Sequence, residues 1–187
     1  MAGEIRQTMV EHAVLLLARK GLQGASLSEI LQASGAPRGS LYHHFPGGKD
    51  ELVLAALDES DRIAANFLVG LEGLPAIEVV NGFTSLWRSI LVEGDMQVGC
   101  AVVAVTVAAD SPLILERAGK VFSTWRKQLA KLLIAGGISK ARAPGVAALV
   151  ISGCEGATML ARAEKSLKPF DLVVSEVRRI VEAATSG

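Results

Sequence analysis

Apolar residues return at steps of three and four along nearly the whole chain, and the interruptions of that rhythm carry Gly, Pro or Ser. That is the periodicity of helices with one inward face. A first helix is expected from about Gly3 to Lys20, with Ile5, Met9, Ala13, Leu16 and Leu17 inward and Gly21 as its stop. A helix from Lys49 towards Leu71 carries Leu52, Leu57 and Ile63, and Gly70, Gly73 and Pro75 end it before another over Ala76–Val92. From Met96 to Ala109 the segment MQVGCAVVAVTVAA has no clear period, and its helical neighbours favour a buried helix. Between Ser111-Pro112 and Gly136-Gly137, the residues Leu115, Ala118, Phe122, Trp125, Leu129 and Leu132 form one long stripe. Two more helices are expected, Lys140–Ser166 and Pro169–Ala184. Together with two short helices between Ser26 and Phe45, this predicts an all-α chain of about nine helices, a three-helix head followed by a larger helical domain.

The stretch from Ser26 to Lys49, SLSEILQASGAPRGSLYHHFPGGK, breaks the apolar pattern and replaces it with capping and turn chemistry. Ser26 caps a helix over Leu27–Ala33, Glu29 completes a capping box, and Ile30 and Leu31 face inward. Ser34-Gly35-Ala36 makes a turn in which Gly35 can take a positive φ, and Pro37 suits the first position of the next helix. That helix, Pro37 to about Phe45, points Leu41 and Phe45 to one side and leaves Arg38, Ser40, Tyr42, His43 and His44 for other faces. It has too few apolar residues for a core element. Its polar side chains can reach phosphate oxygens and base edges, and a short helix of this kind fits the major groove. The pair reads as a helix-turn-helix.

Composition narrows the picture. With 187 residues, half of them hydrophobic, the chain can bury a sizeable core, and its formal net charge of zero excludes a broadly basic coat. Up to Lys49 the basic residues are Arg6, Arg19, Lys20, Arg38 and Lys49 and the acidic ones Glu4, Glu11 and Glu29, so helix N-termini would have to help hold phosphate. Cys100 and Cys154 sit in apolar contexts without a CxxC pattern, which fits a reducing cytoplasm. The interleaved charges near the N-terminus are not those of a secretion signal. The apolar run Ala143–Ala161 contains Glu155, and a mid-span carboxylate costs roughly 2.5 to 3.5 kcal/mol in a bilayer, so a buried helix with no membrane partner is expected.

Catalytic chemistry has no foothold. All three histidines, His12, His43 and His44, lie in the head, far along the chain from either cysteine. Gly48-Lys49 has His43 where a P-loop has Gly and Asp50 where it has Ser or Thr. His43 and His44 diverge on a helix without a partner at i+4, so no metal and no cofactor are expected. The competing class is a helical interaction protein or ligand carrier whose head binds no DNA.

The run Gly35-Ala36-Pro37-Arg38-Gly39-Ser40-Leu41-Tyr42-His43-His44-Phe45-Pro46-Gly47-Gly48-Lys49 strongly resembles the TetR family of bacterial transcriptional regulators. Gly99-Cys100-Ala101-Val102 and the helix through Trp125-Arg126 are similar to the LmrA/YxaF-like branch. The resemblance implies a cytoplasmic homodimer that represses a promoter through double-stranded operator DNA and releases it when a small-molecule effector occupies the C-terminal domain. It implies a division into a DNA-binding domain, residues 1–48, and a ligand-binding and dimerisation domain, residues 49–187. Ser40, Tyr42 and His44 would lie near phosphates, and Arg38, Gly39 and His43 near base edges. Lys49 would meet the backbone at a helix start, and Ser26 would be the phosphate-contacting cap.

Phe83, Trp87, Met96 and Cys100, with Val103, Thr106, Phe122 and Trp125, lie in the region this family uses for effectors and are expected to form an apolar wall for an apolar or aromatic molecule. Dimerisation is expected through the last two helices. There Ala148, Ser152, Gly153, Gly156 and Ala157 allow close approach, and Val173, Val177, Ile180 and Ala184 offer a second seam.

Overall fold

A computed structural model describes residues 2–37 and 39–185. Among them, regular structure is helical throughout: α1 (Ala2–Gly24), α2 (Leu27–Ser34), α3 (Ser40–His44), α4 (Gly48–Val69), α5 (Ala76–Glu93), α6 (Ala101–Thr106), α7 (Pro112–Ala135), α8 (Ala143–Glu164) and α9 (Lys168–Thr185). They fall into two compact units. One holds the chain up to Ile63 together with Cys100–Phe122, and the other holds Ala64–Gly99 together with Ser123 onward. The first unit therefore extends past residue 48, retaining the first four turns of α4, all of α6 and the start of α7.

In the first unit, α1 packs on α2 and on α6. Met9, Ala13 and Leu17 of α1, Ile30 of α2, Leu41, Phe45, and Leu52 and Leu57 of α4 are all buried. Gly21, at φ 74° and ψ 177°, interrupts α1 just after Lys20. The expected inward face of α1 is narrower than its pattern: Ile5 is 38% exposed, as the flank of an amphipathic stripe commonly is. Ile63, at 48%, is likewise outside the buried face of α4.

Helix α8 falls a few residues short of the expected 140–166 at its two ends, and two helices are much shorter than expected. The stretch Met96–Ala109 is helical only over Ala101–Thr106, because Asp95 and Met96 turn the backbone to positive φ (49° and 55°) and the chain runs on irregularly to Cys100. Six residues cannot hold a helix alone, so packing against α1 sustains α6. The other is α3, described below. In α7 the buried stripe is Ile114, Ala118, Val121, Trp125, Leu129 and Leu133. The expected Leu115 is 38% exposed, and Phe122 and Leu132 are half-buried. Both sets have helical spacing, and the surroundings decide between them.

In the second unit α8 packs on α9 and on α5. Its buried residues are mostly small and branched, Val146, Ala147, Val150, Ile151, Cys154, Ala157 and Ala161 among them. By length and composition α8 is the one described helix apolar enough to cross a membrane, yet Glu155, Thr158 and Arg162 interrupt it at steps of three and four. Where α7 ends, the Gly136 carbonyl accepts the Ala76 N–H at 2.9 Å, and a Cβ on Gly136 would stand 2.4 Å from the Ala76 nitrogen. Only glycine fits that approach.

Candidate nucleic-acid interface and effector wall

The turn between α2 and α3 is built from local bonds. The Ser26 Oγ accepts the Glu29 N–H at 3.2 Å, and Glu29 in turn takes Lys20 Nζ at 2.6 Å. The ammonium beside it, more than the Ser26 hydroxyl, holds the Glu29 carboxyl below its ordinary range. Gly35 takes φ 65°, and the N–H groups of Gly35 and Ala36 close the end of α2 on the Gln32 and Leu31 carbonyls.

Helix α3 begins at Ser40, three residues later than Pro37 was expected to begin it. The Pro37 carbonyl accepts both the Ser40 N–H at 2.9 Å and the Ser40 hydroxyl at 2.6 Å, so Pro37 belongs to a tight turn that precedes the helix. Gly39 is the N-cap, exposed and in ordinary right-handed conformation. Leu41 and Phe45 are 2% and 0% exposed and anchor the helix to the head, with the Arg6 guanidinium 4.9 Å over the Phe45 ring. Tyr42 is 65% exposed and His43 is exposed beside it. His44 is half-buried, its ring edge-on to that of His43 at 5.0 Å. Arg38 lies outside the described residues.

Lys49 is half-buried in the first turn of α4, and its ammonium donates to the Leu22 carbonyl at 2.7 Å. It ties α4 to the end of α1, and an ammonium has two further N–H groups to offer. An open cleft of 260 Å³ borders it, with Leu22, Gln23 and Asp50 on one side and Ala108–Ser111 on the other.

The residues expected to wall an effector divide between the units. Cys100, Val103, Thr106 and Phe122 belong to the first, and Phe83, Trp87, Met96 and Trp125 to the second. Phe83, Trp87 and Trp125 are buried, while Cys100, Val103, Phe122 and Met96 are half-buried. Thr106 is exposed, and its hydroxyl is turned onto the Val102 carbonyl at 2.7 Å. Cys154, on α8, is buried deeply enough to push its thiol up to about 12, with Glu155 adding to the effect, so it is no nucleophile.

Of the residues expected at a dimer seam, Ala157, Val177 and Ala184 are buried within this chain, and a Cβ on Gly153 would touch Val173 and Val177 at 3.3 and 3.6 Å. These residues join α8 to α9. Ala148 and Val173 are half-buried, Ser152, Gly156 and Ile180 are exposed, and a Cβ on Gly156 would meet nothing within 4 Å. The outward stripe of α8 also contains Leu149 and Leu160, 38% and 50% exposed, in step with Ser152 and Gly156.

Sequence reasoning missed the charged belt of α4. Glu59 is 7% exposed and receives two bonds from Arg62, whose guanidinium, followed by the Gln7 amide, holds its carboxyl below the usual range against the opposing effect of burial. Asp58 and Asp61 both receive Arg117 of α7. The only forewarning was four charges within five residues, DESDR, in the middle of a helix whose other charges, Lys49, Asp50 and Glu51, stand at its start.

Residues 10–56 match the model for bacterial regulatory proteins of the tetR family, and residues 76–176 match that for the C-terminal domain of LmrA/YxaF-like transcriptional regulators. An HTH-type transcriptional regulator of Mycobacterium tuberculosis is 36% identical across 95% of this chain and 94% of its own. The HTH-type transcriptional repressor AcnR of Corynebacterium glutamicum is 31% identical over 62% of each chain. The crystal structure of a TetR transcriptional regulator from Chloroflexus aurantiacus superposes with a TM-score of 0.77 at 29% identity, covering 97% of this chain and 96% of that one. The chain belongs to the TetR family of bacterial regulatory proteins, in its LmrA/YxaF-like branch, and is a transcriptional regulator rather than an enzyme.

Proposed function

We propose that the protein is a cytoplasmic repressor that binds a pseudo-palindromic operator as a homodimer and leaves it when a small apolar or aromatic molecule binds the helical part. The observation that carries this reading is the division of labour on α3, where Leu41 and Phe45 are buried while Tyr42 and His43 are turned to solvent. A helix that spends its apolar residues on anchorage and offers a phenol and an imidazole outward is suited to a groove. The repressor AcnR, similar over part of the chain, supports the direction of control.

In this reading residues 1–48 read DNA, and residues 49–187 bind the effector and the second copy. Arg38, Gly39 and His43 face base edges, Ser26, Ser40, Tyr42 and His44 face phosphates, and Lys49 adds a phosphate contact beyond its bond to Leu22. The dimer forms on the outward stripe of α8, through Leu149, Ser152, Gly156 and Leu160, with Ile180 of α9 beside it.

Selecting genomic fragments with the purified protein and measuring gel shift tests the assignment. Arg38→Ala and Tyr42→Ala are expected to weaken specific binding by about 1 to 3 kcal/mol per half-site, and Lys49→Ala to weaken every sequence alike and flatten the salt dependence. Unchanged operator affinity in both of the first two variants overturns α3 as the reading helix. Hydrophobic aromatic compounds found by tryptophan quenching are expected to release DNA, and Trp87→Ala or Trp125→Ala to uncouple the two events. Binders that never alter DNA affinity favour a ligand carrier.

A further inference from the structure

The first unit contains an ion triad that joins α4 to α7. Arg117 Nε donates to Asp58 Oδ1 at 2.5 Å and Arg117 Nη2 to Asp61 Oδ2 at 3.1 Å. Asp58 and Asp61 are three residues apart, so α4 presents both carboxylates on one face, and the planar fork of one guanidinium spans them as an ammonium cannot. Arg117 and Asp61 are only 26% and 20% exposed. Its neighbours on α7, Ile114, Ala118 and Val121, are buried, so the guanidinium is held on a fixed element.

The triad is poorly arranged for stability alone. Asp61 Oδ1 is buried without a hydrogen-bond partner, and two carboxylates share one cation. Half-buried charge with an unmet oxygen recovers little of its desolvation cost. What it does fix is direction. Helix α4 starts three residues after Phe45, is tied by Lys49 to the end of α1, and runs unbroken to Asp58 and Asp61. On its other side α1 rests on α6, so the reading helix shares one compact unit with α6 and the start of α7.

We propose that Arg117 is a positioning residue for DNA recognition: by clamping Asp58 and Asp61 it sets the bearing of α4, and with it the spacing at which two reading helices are presented to an operator. The proposal rests on the reading of the protein as an operator-binding homodimer. The clamp touches no DNA, so losing it changes which half-site spacing is accepted and leaves phosphate attraction intact.

The test uses the full-length protein and three duplexes: one recovered by selection from genomic DNA, the same duplex with one base pair inserted at its centre, and an unrelated duplex. Arg117→Met is expected to bind the selected duplex on the order of tenfold more weakly, within the 5–150-fold range usual for coupling between sites. It is also expected to discriminate less against the insertion, with unchanged affinity for the unrelated duplex and unchanged dimer mass. Restoration of spacing preference by the swap Arg117→Asp with Asp61→Arg supports a clamp, and Asp58→Asn with Asp61→Asn provides a second route should Arg117→Met fold poorly. If Arg117→Met, or Asp58→Asn with Asp61→Asn, keeps the wild-type spacing profile, the proposal is overturned, as it is if these variants weaken all three duplexes equally while lowering the thermal midpoint. A wild-type chain that discriminates among no duplexes overturns the operator reading itself, and the clamp's role with it.

Discussion

Both compact units bury apolar residues, and the second also carries a charged link between helices, Arg88 of α5 to Asp171 of α9, but the devices that join their helices differ in emphasis. In the first, charged side chains staple one helix to the next: Lys20 to Glu29 between α1 and α2, and Arg117 to Asp58 and Asp61 between α7 and α4. In the second, small residues let helices approach, with Gly136 against the Ala76 backbone and Gly153 against Val173 and Val177. Charged staples fix angles and tolerate movement, whereas close apolar packing fixes distance and tolerates almost none.

The largest expected effect tests the packed unit at its tightest point. Gly136→Ala puts a Cβ 2.4 Å from the Ala76 nitrogen and 2.8 Å from its Cα, so backbone must move. Overpacking of this kind is expected to cost about 3 kcal/mol, read as a lower denaturant midpoint. Gly119→Ala in the first unit meets nothing within 4 Å and is expected to stabilise α7 by about 0.5 to 1 kcal/mol. A Gly136→Ala variant as stable as wild type contradicts the account of the second unit.

Two glycines one turn apart on α8 sharpen the distinction between packing within and between chains. Gly153→Val crowds Val173 and Val177 and is expected to lose about 1 to 3 kcal/mol of stability. Gly156→Val points into open space, so the fold should persist while light scattering reports a weaker dimer and gel shift reports lost operator binding. An unchanged dimer in Gly156→Val removes the outward face of α8 as the interface.

A smaller effect is expected at the head. Ser26→Ala removes the acceptor for the Glu29 N–H and should cost about 1 kcal/mol, seen in the unfolding midpoint of the first unit.

That cap was legible because its chemistry is local. Ser26 and Glu29, Gly35, and the pair Leu41 and Phe45 all act within a few residues of themselves, and each does in the fold what its spacing implies. The phase of α7 was not legible, since the Leu115 and Ile114 stripes fit a helix equally well and only the surroundings bury one of them. The late start of helix in Met96–Ala109 was hidden for a related reason: Asp95 and Met96 take positive φ although neither is the glycine that would announce it. Arg117 and Asp58 stand 59 positions apart, and no pattern along the chain links them. Within the candidate DNA interface, the exposure of Tyr42 and His43 follows from helical geometry, whereas the Lys49 bond to Leu22 depends on how α1 ends.

The smallest expected effect concerns three charged pairs of the first unit, one between helices and two within a helix. Glu29, Glu59 and Glu116, all in the first unit, are held below their ordinary value of 4.5, in each case chiefly by a bond from Lys20, Arg62 and Lys120 respectively. A carboxylate depressed in the fold binds its proton more readily in the unfolded chain. Its contribution is therefore complete above 4.5 and is lost as pH falls through the lower, folded value. The pairs of Glu29 and Glu116 lie largely in solvent and Glu59 is bonded by an exposed Arg62, so each loss is slight, but all three act on the same unit. Amide hydrogen exchange, corrected for its intrinsic pH dependence, should show α1, α2 and α4 losing protection on acidification before α8 and α9 do, and Glu59→Gln should reduce that loss. Equal loss in both units, or earlier loss in α8, would mean that these charged pairs do not distinguish the first unit from the second.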